Sequence, residues 1–413
     1  MHNPEVNANP LLPERHAGDV RHAAPAVLAA ALTASRHDTL ATFAVCEQAQ
    51  SALNVPRRET LNPPLWELGH IGWFQEFWIA RNPQRAGGAN ADPLAPRHAG
   101  PRAHADALYD SSAVPHATRW SLPLPDAEAT RTDLDAQLAR TLALLRDTVD
   151  DVASLYFYRL ALLHEDMHHE AALYMAQSLG IAIGDTRWQA ARLPEPRGSV
   201  TFDAGFGSIG HCTEGFAFDN ELAAHDVALP ATQIDSRVLT WAEYLPFVEA
   251  GGYAQPQWWS DAAAAWLAAD QPTSPRYARR LGRAWQLWRH GEWAALDMAH
   301  AACHLTLFEA EAWCRWAGRR LPTEAEWERA AVTRPAEFAW GQVWEWTASE
   351  FAPYPGFTPH PYRDYSAPWF GSSHRVLRGA SFMTQPRLRD PRYRNFFLPY
   401  RNDVPAGFRT CRL

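Results

Sequence analysis

Apolar residues recur at helical intervals from residue 26 to 53, directly behind Pro25, and again from 64 to 81. Pro64 suits a first helical turn, where its missing N–H would have had no partner anyway. Residues 126–151 and 152–179 carry the same period. This half therefore reads as a bundle of about four long helices. Residues 83–125, rich in Pro, Ala, Gly and His, read as a long connection, a length that compact domains reserve for function. Residues 1–24 show no period and read as a poorly ordered tail.

The texture changes after a Pro- and Gly-bearing stretch around Pro194, Pro196 and Gly198. Short apolar runs punctuated by Gly, Pro and Asp follow, among them Phe202-Asp203-Ala204-Gly205 and Val376-Leu377-Arg378-Gly379, and predict short strands in an irregular α+β domain. Two helices interrupt them, one over 307–317 and one opening at Thr323-Glu324-Ala325-Glu326, which has capping-box form. The expected organisation is a tail over 1–24, a helical bundle over 25–190, a linker over 191–200 and an α+β domain over 201–413.

Composition narrows the function classes. A net charge of -8 over 413 residues leaves no basic field to neutralise phosphates, which excludes nucleic acid as a partner. No apolar run of about 18 residues and no secretory apolar segment near Met1 is present, so a cytoplasmic chain with no membrane partner is expected. The five Cys show no CxxC spacing, and any bound metal must rest on His. Nineteen Trp, mostly in the second half, point to a loop-rich fold held by aromatic packing.

His164 and His168 stand four apart in a helical stretch, so both imidazoles share one face and can reach one metal ion. A single His on such a helix is more often a satisfied core or surface residue. The pair changes that balance, and Glu165 completes His-Glu-x-x-His, the zinc-protease pattern in which Glu is the general base. His70, among aromatics and beside Gly69 and Gly72, is the candidate third ligand, brought in from a facing helix. Three neutral imidazoles leave positions open on an octahedral ion. That suits a non-haem Fe(II) binding substrate and O2, and zinc is equally allowed by ligand type.

Several motifs now stand in order: Leu68-Gly69-His70, His164-Glu165-x-x-His168-x-Glu170, Gly215-Phe216-Ala217-Phe218-Asp219-Asn220-Glu221, Arg320-Leu321-Pro322-Thr323-Glu324, Val343-Trp344-Glu345-Trp346-Thr347, Leu377-Arg378-Gly379 and Gly407-Phe408-Arg409. Over residues 40–413 the chain resembles the ergothioneine-type sulfoxide synthases. The resemblance implies a DinB-like four-helix bundle followed by an irregular formylglycine-generating-enzyme/C-type-lectin-like domain. It implies an Fe(II) enzyme, with O2 as co-substrate, that joins a sulfur or selenium donor to C2 of the imidazole of Nα-trimethylhistidine (hercynine). On the same resemblance His70, His164 and His168 match the iron ligands, and Asn395 matches an Asn near the trimethylammonium and imidazole of the substrate. Tyr362 and Tyr365 fall at active-site tyrosines, one of them a proton donor to reduced oxygen, and Arg401 matches an Arg that binds a donor carboxylate. A structural Ca2+ in the second domain is compatible with the family, although no loop singles it out.

The chain departs from that family where the donor sits. Phe397 stands where the family has an Asp that contacts γ-glutamylcysteine, and Met167 replaces a Gln that touches trimethylhistidine. The family's donor loop is replaced by Leu108-Tyr109-Asp110-Ser111-Ser112-Ala113-Val114-Pro115-His116, then Arg119-Trp120. A buried polar hook exchanged for a ring disfavours a charged dipeptide. The pattern is most similar to the selenoneine synthases, which take a 1-seleno-glucose, and Asp110, Ser111, Ser112, His116 and Arg119 are candidate sugar contacts. The rivals are a synthase using γ-glutamylcysteine or cysteine, a zinc hydrolase built on His164, Glu165 and His168, and a non-catalytic binding module. Formylglycine generation lacks its copper-binding Cys pair, because no Cys lies between Arg315 and Thr410.

Overall fold

The computed structural model describes residues 19–50, 53–212, 214–371 and 373–413. Its first half is the helical bundle: α1 (Pro25–Ala49), α2 (Pro64–Gln75), the short α3 (Ala105–Tyr109), α4 (Ala127–Arg146) and α5 (Val152–Leu179). Their ends follow local chemistry. Pro25 and Pro64 open α1 and α2, and the side chains of Asp126 and Asp151 accept backbone N–H groups of Ala129 and Ser154 to start α4 and α5. Gly180, at φ 73°, ends α5 in a left-handed turn that a Cβ would strain. The helical pattern over 64–81 resolves into α2 plus one π-turn, Glu76–Ala80. The connection over 83–125 contains α3, whose Tyr109 ring lies so close to Gly69 that a Cβ there would overlap it.

The second half is β-rich and irregular. One four-stranded sheet orders Ser199–Phe202, Thr232–Asp235, Cys411–Arg412 and Arg319–Arg320; the other orders Asn395–Phe397, Arg375–Ala380, Val343–Glu350 and Ala406–Gly407. The helices Leu307–Ala317 and Glu324–Thr333 carry complete capping boxes at Thr306 and Thr323. Arg378, Arg394 and Arg409 are buried and paired with Glu328, Glu324 and Glu345, which pins loops that little regular secondary structure supports.

One apolar cluster runs through both halves, from Leu28, Trp66 and Phe157 in the bundle to Trp241, Trp344 and Trp346 beyond it. Of the stretch read as a poorly ordered tail, residues 1–18 lie outside the described residues. Within residues 19–24, Val20 and Arg21 are buried, and Arg21 donates to both oxygens of Glu221 at 2.6 and 3.0 Å. The missed signal is a charge whose partner lies 200 positions away. No helix among the described residues is long and apolar enough to cross a membrane.

Candidate metal centre and its cavity

His70 stands on α2, and His164 and His168 one turn apart on α5. One ligand nitrogen from each lies within 4.8 Å of the others, the only such group of three His, Cys, Asp or Glu side chains among the described residues. Packing and hydrogen bonds orient each ring. The carbonyl oxygen of Tyr109 accepts from His70 Nδ1 at 2.8 Å, which turns Nε2 inward. The Glu67 carboxylate accepts from His168 Nδ1 at 2.5 Å and also from Asn62 Nδ2. An outer carboxylate on the distal nitrogen fixes a ligand's tautomer and raises its basicity. His164 is clamped face to face by Phe74, with ring centroids 3.5 Å apart.

The decisive feature is His164. It is buried, and neither ring nitrogen has a hydrogen-bond partner. Leaving such a group unsatisfied costs about 1–3 kcal/mol, and a metal ion would give one of the two nitrogens a partner. Electrostatics agree. Burial, then the neighbouring imidazoles of His168 and His70, holds His164 well below the ordinary histidine range, and burial with His168 brings His70 down to about 3. Both rings are therefore neutral and ready to ligate. Burial opposes ionisation of Glu67, yet the His168 imidazole beside it carries its carboxyl down to about 2. Three imidazole nitrogens backed by one carboxylate fit a single divalent first-row ion such as iron or zinc.

Glu165 is not part of this arrangement. Both its oxygens are held by Arg36, at 2.8 and 3.1 Å, and Arg36 is fixed in turn by the Leu134 carbonyl and Gln75. The carboxylate that a zinc hydrolase needs as base is thus committed to α1. The His-Glu-x-x-His pattern supplies two of the three clustered imidazoles and a structural ion pair.

The centre opens on a cavity of about 330 Å³ between α5 and the second domain. Met167, Tyr362, Tyr365, Asn395 and Phe397 all line it. Tyr365 and Tyr393 hydroxyls lie 2.7 Å apart, and Tyr393 donates to Met167 Sδ at 3.2 Å, so the Tyr365 proton points to Tyr393. Tyr362 sits edge-on to His164, at 6.0 Å between centroids, and burial raises its hydroxyl above the ordinary tyrosine range. Asp219 holds the loop that carries both tyrosines, accepting from the His360 N–H at 3.1 Å and the Ser366 hydroxyl at 2.7 Å. Asn395 Oδ1 accepts from the Phe396 N–H at 2.9 Å.

Five predicted contacts fall elsewhere. Arg401 lies behind Phe397, 5.0 Å from its ring, and is paired with Asp403 at 2.6 and 2.7 Å. Arg119 covers the Trp66 face at 3.9 Å and donates to Asn62. Asp110 accepts the Ser112 N–H, and neither it nor Ser111 lines the cavity. The loop reaches the cavity wall through Ser112, which donates to the lining residue Asp364. His116 bonds the Leu61 carbonyl.

Sequence reasoning passed over Glu67, Glu170, Trp344, Asp364 and Tyr393. Glu67 stands three residues before His70 on the same helical face, which was a usable signal. Tyr393 had none, because its partners come from a loop and from α5.

Comparison with known proteins places this geometry. Residues 31–176 match the DinB superfamily, and residues 187–342 and 337–413 match the sulfatase-modifying factor enzyme 1-like domain. The hercynine oxygenase of Mycobacterium tuberculosis is 32% identical over 402 residues, which cover 85% of this chain and 91% of that protein. That of Mycolicibacterium smegmatis is 32% identical over 414 residues, covering 85% and 91%. The formylglycine-generating enzyme of Streptomyces coelicolor is 34% identical over 166 residues, covering 37% of this chain and 53% of that enzyme. With a DinB-like bundle, a sulfatase-modifying-factor-like domain and near full-length similarity, the chain belongs to the hercynine oxygenase family.

Proposed function

We propose that this protein is a non-haem iron(II) oxidoreductase that joins the selenium of a 1-seleno-sugar to C2 of the imidazole of hercynine, using O2. Similarity to hercynine oxygenases supports the imidazole substrate, and the three-histidine cluster supports the metal. The observation that carries the choice of donor is the charge of the cavity. Its lining holds two carboxylates, Glu170 and Asp364, and no Arg or Lys among the described residues. Arg401, which lies against the Phe397 ring, is neutralised by Asp403. γ-Glutamylcysteine would add two carboxylates to the one that hercynine brings, and the lining offers them no cation, whereas a polyol meets Asp364 and aromatic rings suited to its apolar faces.

The overall reaction balances. The C2–H and Se–H bonds break and a C2–Se bond forms; O2 takes four electrons, one oxygen leaving as water and the other ending on selenium as a selenoxide. Iron held by His70, His164 and His168 supplies the coupling of O2 reduction to bond formation. The chain does the rest. Phe74, Trp344 and Phe397 exclude water, Asn395 orients hercynine, and Tyr362 presents a protonated hydroxyl beside His164. Tyr365 has its proton directed to Tyr393 and serves to position.

The test offers iron(II)-loaded protein hercynine and O2 with 1-seleno-glucose, 1-thio-glucose, γ-glutamylcysteine and cysteine in parallel, with products identified by mass. The expected product is the selenosugar adduct, with γ-glutamylcysteine slower by a factor of 100 or so. Preferred turnover of γ-glutamylcysteine overturns the donor assignment. Activity with zinc and without O2 overturns the oxidative reading.

A further inference from the structure

Four buried carboxylates near the cavity have arginine partners, Glu165 with Arg36, Asp166 with Arg387, Glu221 with Arg21 and Asp403 with Arg401, while Glu67 is held by His168 and Asp219 by the His360 N–H and Ser366 outside the lining. Glu170 is different. It is 6% exposed, lines the cavity from α5, and forms no ion pair among the described residues. Three neutral donors converge on one oxygen: the Ser381 hydroxyl at 2.6 Å, the Thr384 hydroxyl at 2.8 Å and Trp344 Nε1 at 2.8 Å, all to Oε1. Oε2 is the oxygen left to the cavity. The nearby Arg389 is spent on the carbonyls of Thr384 and Ser381.

A buried carboxylate held rigidly, bonded on one oxygen and without a counter-cation, is an incomplete ion pair. Its surroundings say what completes it. Trp344 lies against Tyr393 at 5.6 Å between centroids, and Tyr174 lines the same wall. Aromatic faces beside a carboxylate suit a bulky, weakly hydrated cation better than a compact one that needs several donated hydrogen bonds.

We infer that Glu170 is the counter-ion of the substrate's quaternary ammonium, which seats between its Oε2 and the faces of Trp344 and Tyr393. This rests on hercynine as the imidazole substrate. It adds the residue by which the site selects the trimethylated, permanently charged form. Because Glu170 follows His168 by two positions on α5, the same helix that fixes the metal sets the distance between the cationic end of the substrate and its reacting ring.

The test is calorimetric, on iron(II)-loaded protein without O2, using hercynine, imidazole-4-propionate as the analogue without a cation, and choline with its uncharged carbon isostere. The wild type is expected to bind hercynine at least about tenfold tighter than imidazole-4-propionate, and choline tighter than its isostere. Glu170→Gln, whose Oε1 can still accept from Ser381, Thr384 and Trp344, is expected to lose about 10- to 100-fold for hercynine and under twofold for imidazole-4-propionate. A folded Glu170→Gln protein that keeps the preference overturns the inference and leaves hercynine as substrate. Should that variant not fold, equal wild-type affinity for choline and its isostere overturns it. Wild-type protein that ignores hercynine yet binds choline in a Glu170-dependent way refutes the hercynine reading and sustains the cation site.

Discussion

The two walls of the cavity are built on different principles. On the bundle side, position is set by hydrogen bonds: the Tyr109 carbonyl on His70, Glu67 on His168, and two helices capped by their own side chains. On the opposite side, Trp344, Tyr362, Phe396 and Phe397 present faces and edges, and few side-chain hydrogen bonds point into the space. The first wall tolerates little change and brings three imidazoles within reach of one metal ion. The second can be reshaped by exchanging rings, and it decides what meets that metal.

The largest effect should come from the bundle wall. His164→Leu is expected to lower iron affinity by more than about 100-fold, read by metal analysis after dialysis and by the loss of turnover. The metal-free variant should keep its stability to within about 1 kcal/mol, because the imidazole removed was buried without a partner. Denaturant melts of both apoproteins check this. A severe loss of apoprotein stability would mean that His164 is a core residue first.

Glu67→Gln comes next. It keeps the shape and the bond to Asn62 while removing the charge behind His168, so metal affinity should fall by about 10- to 100-fold. Competition with a chelator reads it. An unchanged affinity would show that the Tyr109 carbonyl and Phe74 packing alone orient the ligands.

On the aromatic wall, Asp219→Asn keeps one acceptor for two donors, so the tyrosine loop loses either the His360 or the Ser366 bond. The expected cost is about 1–3 kcal/mol of stability and a kcat lower by about tenfold, with a smaller change in the KM for hercynine. The variant also has a pH signature. Burial raises the Asp219 carboxyl from 3.8 to about 6, so the folded chain holds a proton that the unfolded chain has lost across that window. Stability contributed by this group is full below 3.8 and falls as pH rises to about 6. The melting temperature of the wild type minus that of Asp219→Asn should therefore fall as pH rises through that window.

The same contrast explains what the sequence disclosed. Helical periodicity and the four-residue spacing of His164 and His168 are local, and the bundle wall follows from them, down to Pro64 and the Asp151 cap. The aromatic wall is assembled from residues far apart in the chain, so the Tyr365, Tyr393 and Met167 chain left no pattern to read. Glu165 is the opposite case. Its local motif is complete, and only a partner 129 positions away, Arg36, shows that the carboxylate is structural. The polar composition of the loop over 108–119 suggests a sugar site, yet His116 and Arg119 are spent holding the loop to residues 61 and 62, and Ser112 reaches the cavity wall through Asp364.

Arg119 tests that last point with the smallest expected effect on catalysis. Its guanidinium covers Trp66, which stacks on His70 at 4.9 Å, and it donates to Asn62, which in turn donates to Glu67. Arg119→Ala removes a cation–π contact and a hydrogen bond from behind the metal, so a stability loss of about 1–2 kcal/mol is expected. The KM for the donor should move less than about twofold, since no atom of Arg119 lines the cavity. Denaturant melts and donor titrations on one preparation separate the two effects. A donor KM raised tenfold with stability intact would bring the loop into the donor site and move the boundary between the two walls to Arg119.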